Sequence, residues 1–452
     1  MKSIDLKKDS VNKIFWYFAI PSVLAIITQS TAGFIDSIFV GKYVGTDGLT
    51  SITLVMPIIM LLAGIGTMLS IGGVALSGIH KGAGDEKKSN HFFVLTTLLV
   101  LIASLLGTII IWLSIDKFGS MLGAKGTTLT YIIDYAKTLS IFFVCFLLNF
   151  SFTFFIKLDG RPVLVIISVL IGTLINIVLD YIFIKEFNWG MQGAALATGL
   201  SQLIPFFIMV YIVIKHTSWK FVKIKINAKD IKDIAFNGSS ELLSMGSASI
   251  TGFVFNYLIA KYIGLEGVAA FSVSLQVSSI ATGVFYGFSE AISSPVSFNI
   301  GAKEHMRVKS FRKKSCLSNF ISGLVIISII YLFNDSIVSI FIRDDSIKDI
   351  ASHILTIYTS AYVLYGVNIS IITYFTAINS PIVSCLLSII KSLAAPIIGM
   401  YLLPVFLGDY GLFYSILFAE VITSCVAFMI LKSYEFGRYG IKNTSSLSSS
   451  SI

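Results

Sequence analysis

Long apolar runs, separated by short polar segments, recur from one end of the chain to the other. Residues 92–113, FFVLTTLLVLIASLLGTIIIWL, are one example, without a single charged side chain. About 20 consecutive apolar residues are needed for a helix to cross roughly 30 Å of hydrocarbon. The pattern predicts twelve such spans, at residues 14–40, 51–79, 92–114, 131–156, 163–185, 193–215, 233–260, 268–299, 316–334, 351–376, 382–407 and 411–431.

The composition agrees with this pattern and excludes a soluble protein. Of 452 residues, 55% are hydrophobic and only 13% are charged, and the mean hydropathy is +0.87. The apolar runs are unbroken, whereas strands of a transmembrane barrel would alternate apolar and polar residues over about 10 positions. We therefore expect an all-α integral membrane protein of about twelve transmembrane helices.

The basic residues are distributed unequally between the two sides of the membrane that these spans define. Twelve spans place both termini on one side, and 24 of the 33 Lys and Arg residues fall on that side against 7 on the other. By the positive-inside rule, the termini are expected in the cytoplasm and the chain in the inner (plasma) membrane as a multi-pass protein. The net charge of +9 then reflects topology and attraction to anionic lipid, not a nucleic-acid partner.

The second half of the chain repeats the first at a constant offset. GKYVGTDGL at 41–49 aligns with AKYIGLEGV at 260–268, and KGAGDEKK at 81–88 aligns with IGAKEHMR at 300–307. After the tenth span the register slips by one residue. Since each repeat has an even number of spans, the two are expected to share one orientation, with a cavity at their interface. The pattern predicts two pseudo-symmetric six-helix lobes, at residues 1–215 and 233–440. A basic cytoplasmic connector at 216–232 joins them, and a disordered tail follows at 441–452.

Four polar side chains fall at similar depth in spans of the first half. Ionisable groups are costly in hydrocarbon, so each is a candidate for function. Asn176 and Asp180 lie one helical turn apart on the same face, and Asp36 and Thr198 lie in other spans. Two carboxylates, an amide and a hydroxyl suit a hard monovalent cation such as Na⁺, and the two carboxylates could instead share a proton. The structural alternative is that the Asp36 side chain extends to the membrane interface, or that Asn176 only hydrogen-bonds to a neighbouring helix.

The repeat provides a control for this interpretation. The second-half positions equivalent to three of these residues, Asp36, Asn176 and Asp180, carry no polar group and are Phe255, Ala395 and Gly399. Folding such a half therefore does not require the polar groups.

The second half has polar residues of its own within its spans. These are Glu241, Glu290, Lys391 and Glu420. An unpaired lysine there would be costly, so Lys391 is expected to pair with Glu290 or Glu420. The network is either an internal strut or an acidic wall that attracts cationic substrates. Pro21, in the same span as Asp36, marks either a hinge or a static kink.

Motifs of nucleotide-driven or enzymatic chemistry do not appear. There is no G-x-x-x-x-G-K-[ST], no H-E-x-x-H and no G-x-S-x-G. The sequence therefore predicts a secondary transporter, not an enzyme, with no cofactor and with an ion gradient as its energy source.

The chain resembles the multidrug and toxic compound extrusion (MATE) transporters. The resemblance is carried by P-x14-D (Pro21, Asp36), by KGAGD at 81–85 with IGAKE at 300–304, and by N-x-x-x-D with a threonine in the next span. It implies monomeric antiporters that export organic cations and amphipathic drugs in exchange for Na⁺ or H⁺. It also implies that Asp36, Asn176, Asp180 and Thr198 bind the coupling ion, while the lobes rock between outward- and inward-facing states.

Two alternatives remain open at this point. A lipid-linked saccharide flippase of the same superfamily would need several basic residues in the cavity, and the spans offer Lys391. A membrane-embedded enzyme or receptor would need a reactive constellation or a ligand-binding domain, and neither is visible.

Overall fold

The computed structural model describes residues 4–342 and 345–439, and every regular element within those ranges is helical. Short π-helical segments follow α6 and α15, and a 3₁₀ turn precedes α17. The predicted tail, 441–452, lies outside the described residues. The helices are α1 (Val11–Tyr43), α2 (Thr46–Gly82), α3 (Glu86–Met121), α4 (Gly126–Ser140), α5 (Phe143–Leu158), α6 (Pro162–Asp180), α7 (Gly190–His216), α8 (Ala228–Tyr262), α9 (Leu265–Glu290), α10 (Ser293–Gly301), α11 (His305–Leu332), α12 (Asn334–Phe341), α13 (Asp345–Thr359), α14 (Tyr362–Ala377), α15 (Pro381–Ile389), α16 (Ala395–Leu407) and α17 (Tyr414–Tyr439).

The predicted all-α membrane fold is confirmed. Within residues 4–342 and 345–439, ten helical segments are long and apolar enough to cross a membrane, and the number rises to twelve when each of two bent pairs is counted as one span. The sequence treats both pairs as single spans, but α4 meets α5 at 53° and α13 meets α14 at 43°. The two breaks lie at equivalent positions of the sequence repeat, so each half bends at the same place.

Backbone conformation repeats in the same register as the sequence. A positive φ is rare for residues other than glycine. In this chain, residues with positive φ occur at equivalent places in the two halves. Three pairs keep the offset of the sequence repeat, and the fourth is one position shorter, as the slip in register requires. The pairs are Gly45 (96°) with Gly264 (94°), Gly84 (82°) with Lys303 (61°), Gly160 (77°) with Asn379 (58°), and Gly190 (54°) with Gly408 (69°).

One side-chain contact is repeated as well. Asn149 Nδ2 donates to the backbone carbonyl of Gln202 at 2.9 Å and to its side-chain oxygen at 3.3 Å. Asn368 Nδ2 donates in the same way to Glu420, at 2.9 Å to the backbone carbonyl and 2.6 Å to the carboxylate. The two halves are therefore built on one plan, with Glu420 in the second half where the first has a neutral amide.

The two halves touch closely near the end of the molecule where the N-terminal segment lies, here called the terminal end. The Leu6 carbonyl accepts hydrogen bonds from the side chains of Asn299 and Arg307 at this end. Helix α2 packs against α8 and α10, and α1 packs against α9. A side chain added at Gly72 or Gly238 would collide with the backbone of the opposite helix, so these glycines allow α2 and α8 to approach.

The opposite end of the bundle, here called the far end, is looser at comparable positions. A Cβ added at Gly33 of α1 or at Gly252 of α8 would meet no other atom within 4 Å. The next residue along α8, Phe253, is 75% exposed. At Gly33 and Gly252, therefore, no other helix approaches as closely as α2 and α8 approach each other at the terminal end.

The segment between the halves is anchored to the first half. Trp219 is buried, its ring stacks on Phe93, and its Nε1 donates to the Phe155 carbonyl at 2.9 Å. Helix α8 begins at Ala228, so the last part of the predicted connector, 228–232, is helical.

Candidate cation site and second-half polar network

The two acids of the first half lie on adjacent helices. Asp36 is in the last two turns of α1, and Asp180 is the last residue of α6. These helices pack against each other, and the two carboxyl groups are close enough to interact electrostatically. Asp36 is 9% exposed and Asp180 is fully buried, so the structure brings the two predicted acids together inside the bundle.

Asn176 and Thr198 belong to the same region. Asn176 is buried one turn before Asp180 on α6, and Thr198 is half-buried on α7, which packs against α6. Directly after Asp180 the helix continues as a π-helical segment, Tyr181–Glu186. Single π turns within helices occur often at functional sites.

Tyr135 is a fifth member of this cluster, which the sequence analysis missed. It is buried on α4, a helix that packs against α7. It lies near Thr198 and within electrostatic reach of both Asp36 and Asp180. Its equivalent in the second half is Ile354, and this loss of a polar group in one half only was the signal that could have identified it.

Several polar atoms of the cluster are buried without protein partners. Within the part of the chain that the structure describes, no group hydrogen-bonds to either oxygen of Asp180, to Oδ1 of Asp36 or to Nδ2 of Asn176. A buried carboxylate without a partner is strongly unfavourable unless it is protonated or binds a cation. Protonation of these acids, or a bound cation, would remove this cost.

The equivalent region of the second half is an ordinary aromatic core. Phe255, which takes the place of Asp36, is buried with its ring centroid 4.8 Å from that of Phe271 and 5.8 Å from that of Phe413. Ala395 replaces Asn176 and is also buried. The acids are thus an addition to a shared architecture that packs without them.

The donor atoms of the cluster fit a hard monovalent cation. Carboxylate, amide and hydroxyl oxygens are the ligands that such ions prefer, and a proton shared between Asp36 and Asp180 would meet the same need. No group of three His, Cys, Asp or Glu side chains that could hold a metal ion occurs in residues 4–342 and 345–439. A cation bound at this cluster would instead be held by two acids together with neutral oxygens.

In the second half, Lys391 pairs with Glu420, one of the two acids that the sequence offered. Its Nζ lies 2.9 Å from Glu420 Oε1 and 3.6 Å from the centroid of the Tyr365 ring. The other Glu420 oxygen accepts from Asn368. Lys391 lies in the π-helical segment Ile390–Ala394.

Glu290, the other acid offered to Lys391, is paired with the first half. Its Oε2 lies 3.2 Å from Lys157 Nζ, and this lysine, on α5, is only 4% exposed. Lys157 lies one position beyond the predicted span 131–156, so the apolar pattern does not predict its burial. The ion pair joins the two halves through α5 and α9.

Glu241, the remaining acid, faces a cavity between the halves. Ile71 and Phe154 of the first half line this cavity together with Glu241, Glu290 and Lys391 of the second. Lys157 pairs with Glu290 and Lys391 pairs with Glu420, so Glu241 is the acid of this lining that has no lysine or arginine partner among the described residues.

Pro21, the predicted hinge, is buried inside an uninterrupted α1. Two residues later, Val23 contacts Gly287 of α9. Pro21 therefore lies beside the segment of α1 that packs on the second half.

Comparisons with known proteins identify relatives over nearly the full length. The family model described as MatE matches residues 21–182 and 242–402, one segment in each half. The multidrug export protein MepA of Staphylococcus aureus (strain NCTC 8325 / PS 47) is 23% identical over 94% of both chains. MepA of Staphylococcus haemolyticus (strain JCSC1435) is 26% identical, also over 94% of both.

Solved structures share the fold. A crystal structure of MATE in complex with MaL6 superposes with a TM-score of 0.91 at 22% identity, covering 96% of this chain and 98% of the other. An outward-facing conformation of a multidrug resistance MATE family transporter gives the same TM-score, identity and coverage. With the family model matched in both halves, the chain belongs to the multidrug and toxic compound extrusion (MATE) family.

Proposed function

We propose that this transporter is a secondary antiporter that exports cationic or amphipathic organic compounds in exchange for Na⁺ or H⁺. The observation that carries the proposal is the pair of buried carboxylates, Asp36 and Asp180, which lack protein partners and occur in the first half only. Export by the MepA relatives supports the direction of transport and the class of substrate.

The coupling follows from the cost of burying charge. Asp36 and Asp180 can stay inside the bundle while a proton or Na⁺ neutralises them, together with the oxygens of Asn176 and Thr198. When the cation leaves, the uncompensated carboxylates favour a conformation in which they are hydrated. Cation binding and release thereby bias the packing of α1 against its neighbours, and Pro21 lies where that helix meets α9.

The cavity between the halves supports an organic cation as the exported compound. Glu241 carries negative charge that no described lysine or arginine pairs with. A negative wall of low dielectric attracts cations, and the ring of Tyr286 in the same lining can contact their apolar parts.

Alternating access and orientation complete the proposal. The halves would rock about their contacts, closing the terminal end while the far end opens and then reversing. The excess of Lys and Arg beside the terminal end supports a cytoplasmic location for both termini. The protein would act as a monomer in the plasma membrane.

The flippase alternative is disfavoured by the charges at the cavity. A lipid-linked pyrophosphate would need free cations, but Lys391 and Lys157 are each paired with a glutamate. The dominant unpaired charge in the lining, that of Glu241, has the wrong sign.

The proposal is tested by ion-driven efflux in proteoliposomes. With ethidium as substrate, the wild-type protein should respond to an imposed Na⁺ or H⁺ gradient, each applied separately, and not to ATP. Asp36→Asn and Asp180→Asn should each lower ion-driven efflux by about tenfold or more, since each removes a charge from the cation site.

A matched variant controls for the loss of a carboxylate as such. Asp116→Asn alters an exposed acid of the same half, on α3, which pairs with the less exposed Lys137. This variant should transport like the wild type. Wild-type efflux in both Asp36→Asn and Asp180→Asn would refute the cation site.

A further inference from the structure

The ion pair between Lys157 and Glu290 crosses from one half to the other on the terminal side of the cavity. Along α5, Phe154 lines the cavity and Lys157 follows one turn later. The loop after α5 lies at the terminal end, where the Gly160 carbonyl accepts a hydrogen bond from the Ile4 amide at 3.2 Å. Lys157 therefore lies between the cavity and the terminal end, and its bond to Glu290 must break before the halves can separate there.

The ammonium group of Lys157 contacts the same groups that an organic cation in the cavity would use. Its Nζ lies 3.2 Å from Glu290 Oε2 and 5.6 Å from the centroid of the Phe154 ring. Both of these partners line the cavity. A carboxylate and an aromatic face are typical partners of organic ammonium ions, so Lys157 holds the groups that such an ion would need.

The equivalent positions of the sequence repeat carry no charge. Lys157 corresponds to Thr376 and Glu290 to Ile71, and both of these neutral residues line the same cavity. Packing of the halves around the cavity therefore does not require an ion pair at these positions.

Glu241 is a second acid of the cavity, close enough to Glu290 to interact with it electrostatically. With Lys157 in place, Glu290 is neutralised and Glu241 alone lacks a cationic partner among the described residues. Without Lys157, two carboxylates would face the cavity. The cavity has a volume of about 100 Å³ in this closed arrangement, which is smaller than the roughly 300–1,000 Å³ of sites for drug-sized ligands.

We propose that Lys157 competes with the exported cation for Glu290 and so lowers its affinity each time the terminal end closes. The proposal rests on the proposed export of organic cations. With the terminal end open, Lys157 and Glu290 move apart with their halves, and Glu290 joins Glu241 in holding the cation. With the terminal end closed, as in this structure, Lys157 returns to Glu290 and the cation leaves toward the far end. Tight binding from the cytoplasm and weak binding after closure is the order that export requires.

Equilibrium binding of ethidium to the purified full chain in neutral detergent tests this competition without any ion gradient. Lys157→Gln should bind ethidium about tenfold more tightly than the wild type, because Glu290 is no longer neutralised. Lys157→Met, which keeps the apolar stem of the side chain, should show the same gain. In proteoliposomes both variants should export ethidium more slowly despite their higher affinity, since release is impaired. Removal of a merely structural pair would not tighten binding.

Two further variants locate the effect. Lys137→Gln removes a lysine of the same half that pairs with Asp116 and does not line the cavity, and it should bind ethidium like the wild type. Lys157→Thr with Glu290→Ile copies the neutral residues of the repeat and should also bind about as tightly as the wild type, because competitor and acid are both absent.

Several results would overturn the competition. These are unchanged or weaker binding by both Lys157→Gln and Lys157→Met, an equal gain in Lys137→Gln, or a gain that persists in the double variant without Glu290. Each of them leaves the proposed antiport untouched, because no ion gradient is involved. Absence of ethidium binding by the wild type would instead contradict the proposed substrate class, and the competition with it.

Discussion

Asp36 and Asp180 are buried without a counter-charge, whereas Glu290 and Glu420 of the second half have partners. Glu420 is held by Lys391 and Asn368, and its first-half equivalent is Gln202, bonded to Asn149. A buried pair costs desolvation on both ions and recovers part of that cost in their attraction, while a buried single charge recovers none of it. In the proposed transport cycle, the first-half acids are the groups whose charge state changes, and the Lys391–Glu420 pair is expected to act as a fixed strut.

A strut makes a specific prediction about stability. Lys391→Met leaves Glu420 buried without its cation and should destabilise the protein by about 3–5 kcal/mol. Adding Glu420→Gln to that variant recreates the neutral amide pair of the first half and should recover most of the loss. Thermal unfolding in detergent measures both. A double variant no more stable than Lys391→Met would show that the two side chains do not depend on each other.

The residues that sequence reasoning found and missed differ in how costly they are in hydrocarbon. Asp36 and Asp180 stand out in an apolar run because charge there is expensive. Tyr135 does not, since a tyrosine in a span can be ordinary core, and the sequence marks it only through the apolar Ile354 at the equivalent position of the second half. Lys157 follows its predicted span directly, and its burial against Glu290 depends on how two halves distant in sequence pack together.

At the scale of helices, hydropathy predicts that a span exists but not whether it is straight. The twelve spans are recovered, yet α4 with α5 and α13 with α14 are bent, and the bends leave no mark in the apolar pattern. Contacts between helices of the two halves are also beyond that pattern. They depend on where small residues let backbones approach, as at Gly72 and Gly238.

The contact between α2 and α8 gives a prediction at this scale. Gly238→Ala places a methyl group against the backbone of Met68 and Gly72 and should prevent closure at the terminal end, lowering dye efflux about tenfold or more. Gly252→Ala, on the same helix but in open space, is the matched control and should transport normally. Equal efflux by the two variants would mean that the close approach is not needed for the transport cycle.

Across the whole molecule, the two halves share one backbone arrangement but differ in their polar and charged side chains. Paired positive-φ residues, paired bends and the paired Asn149 and Asn368 contacts show the common plan. The cation cluster lies in one half, the paired Lys391 in the other, and the cavity with Glu241 between them. In the proposed function, this division would give the coupling ion and the exported compound separate sites, joined by helices that pack across the interface.

Separate but coupled sites mean that binding at one must change occupancy at the other, since linkage between two ligands is reciprocal. The most direct measurement is the release of Na⁺ or H⁺ from the purified protein when ethidium is added, followed with an ion-sensitive dye. The wild-type protein should release one of these ions, and the Asp36→Asn, Asp180→Asn double variant should release neither while still binding ethidium. Undiminished release from the double variant would contradict the account.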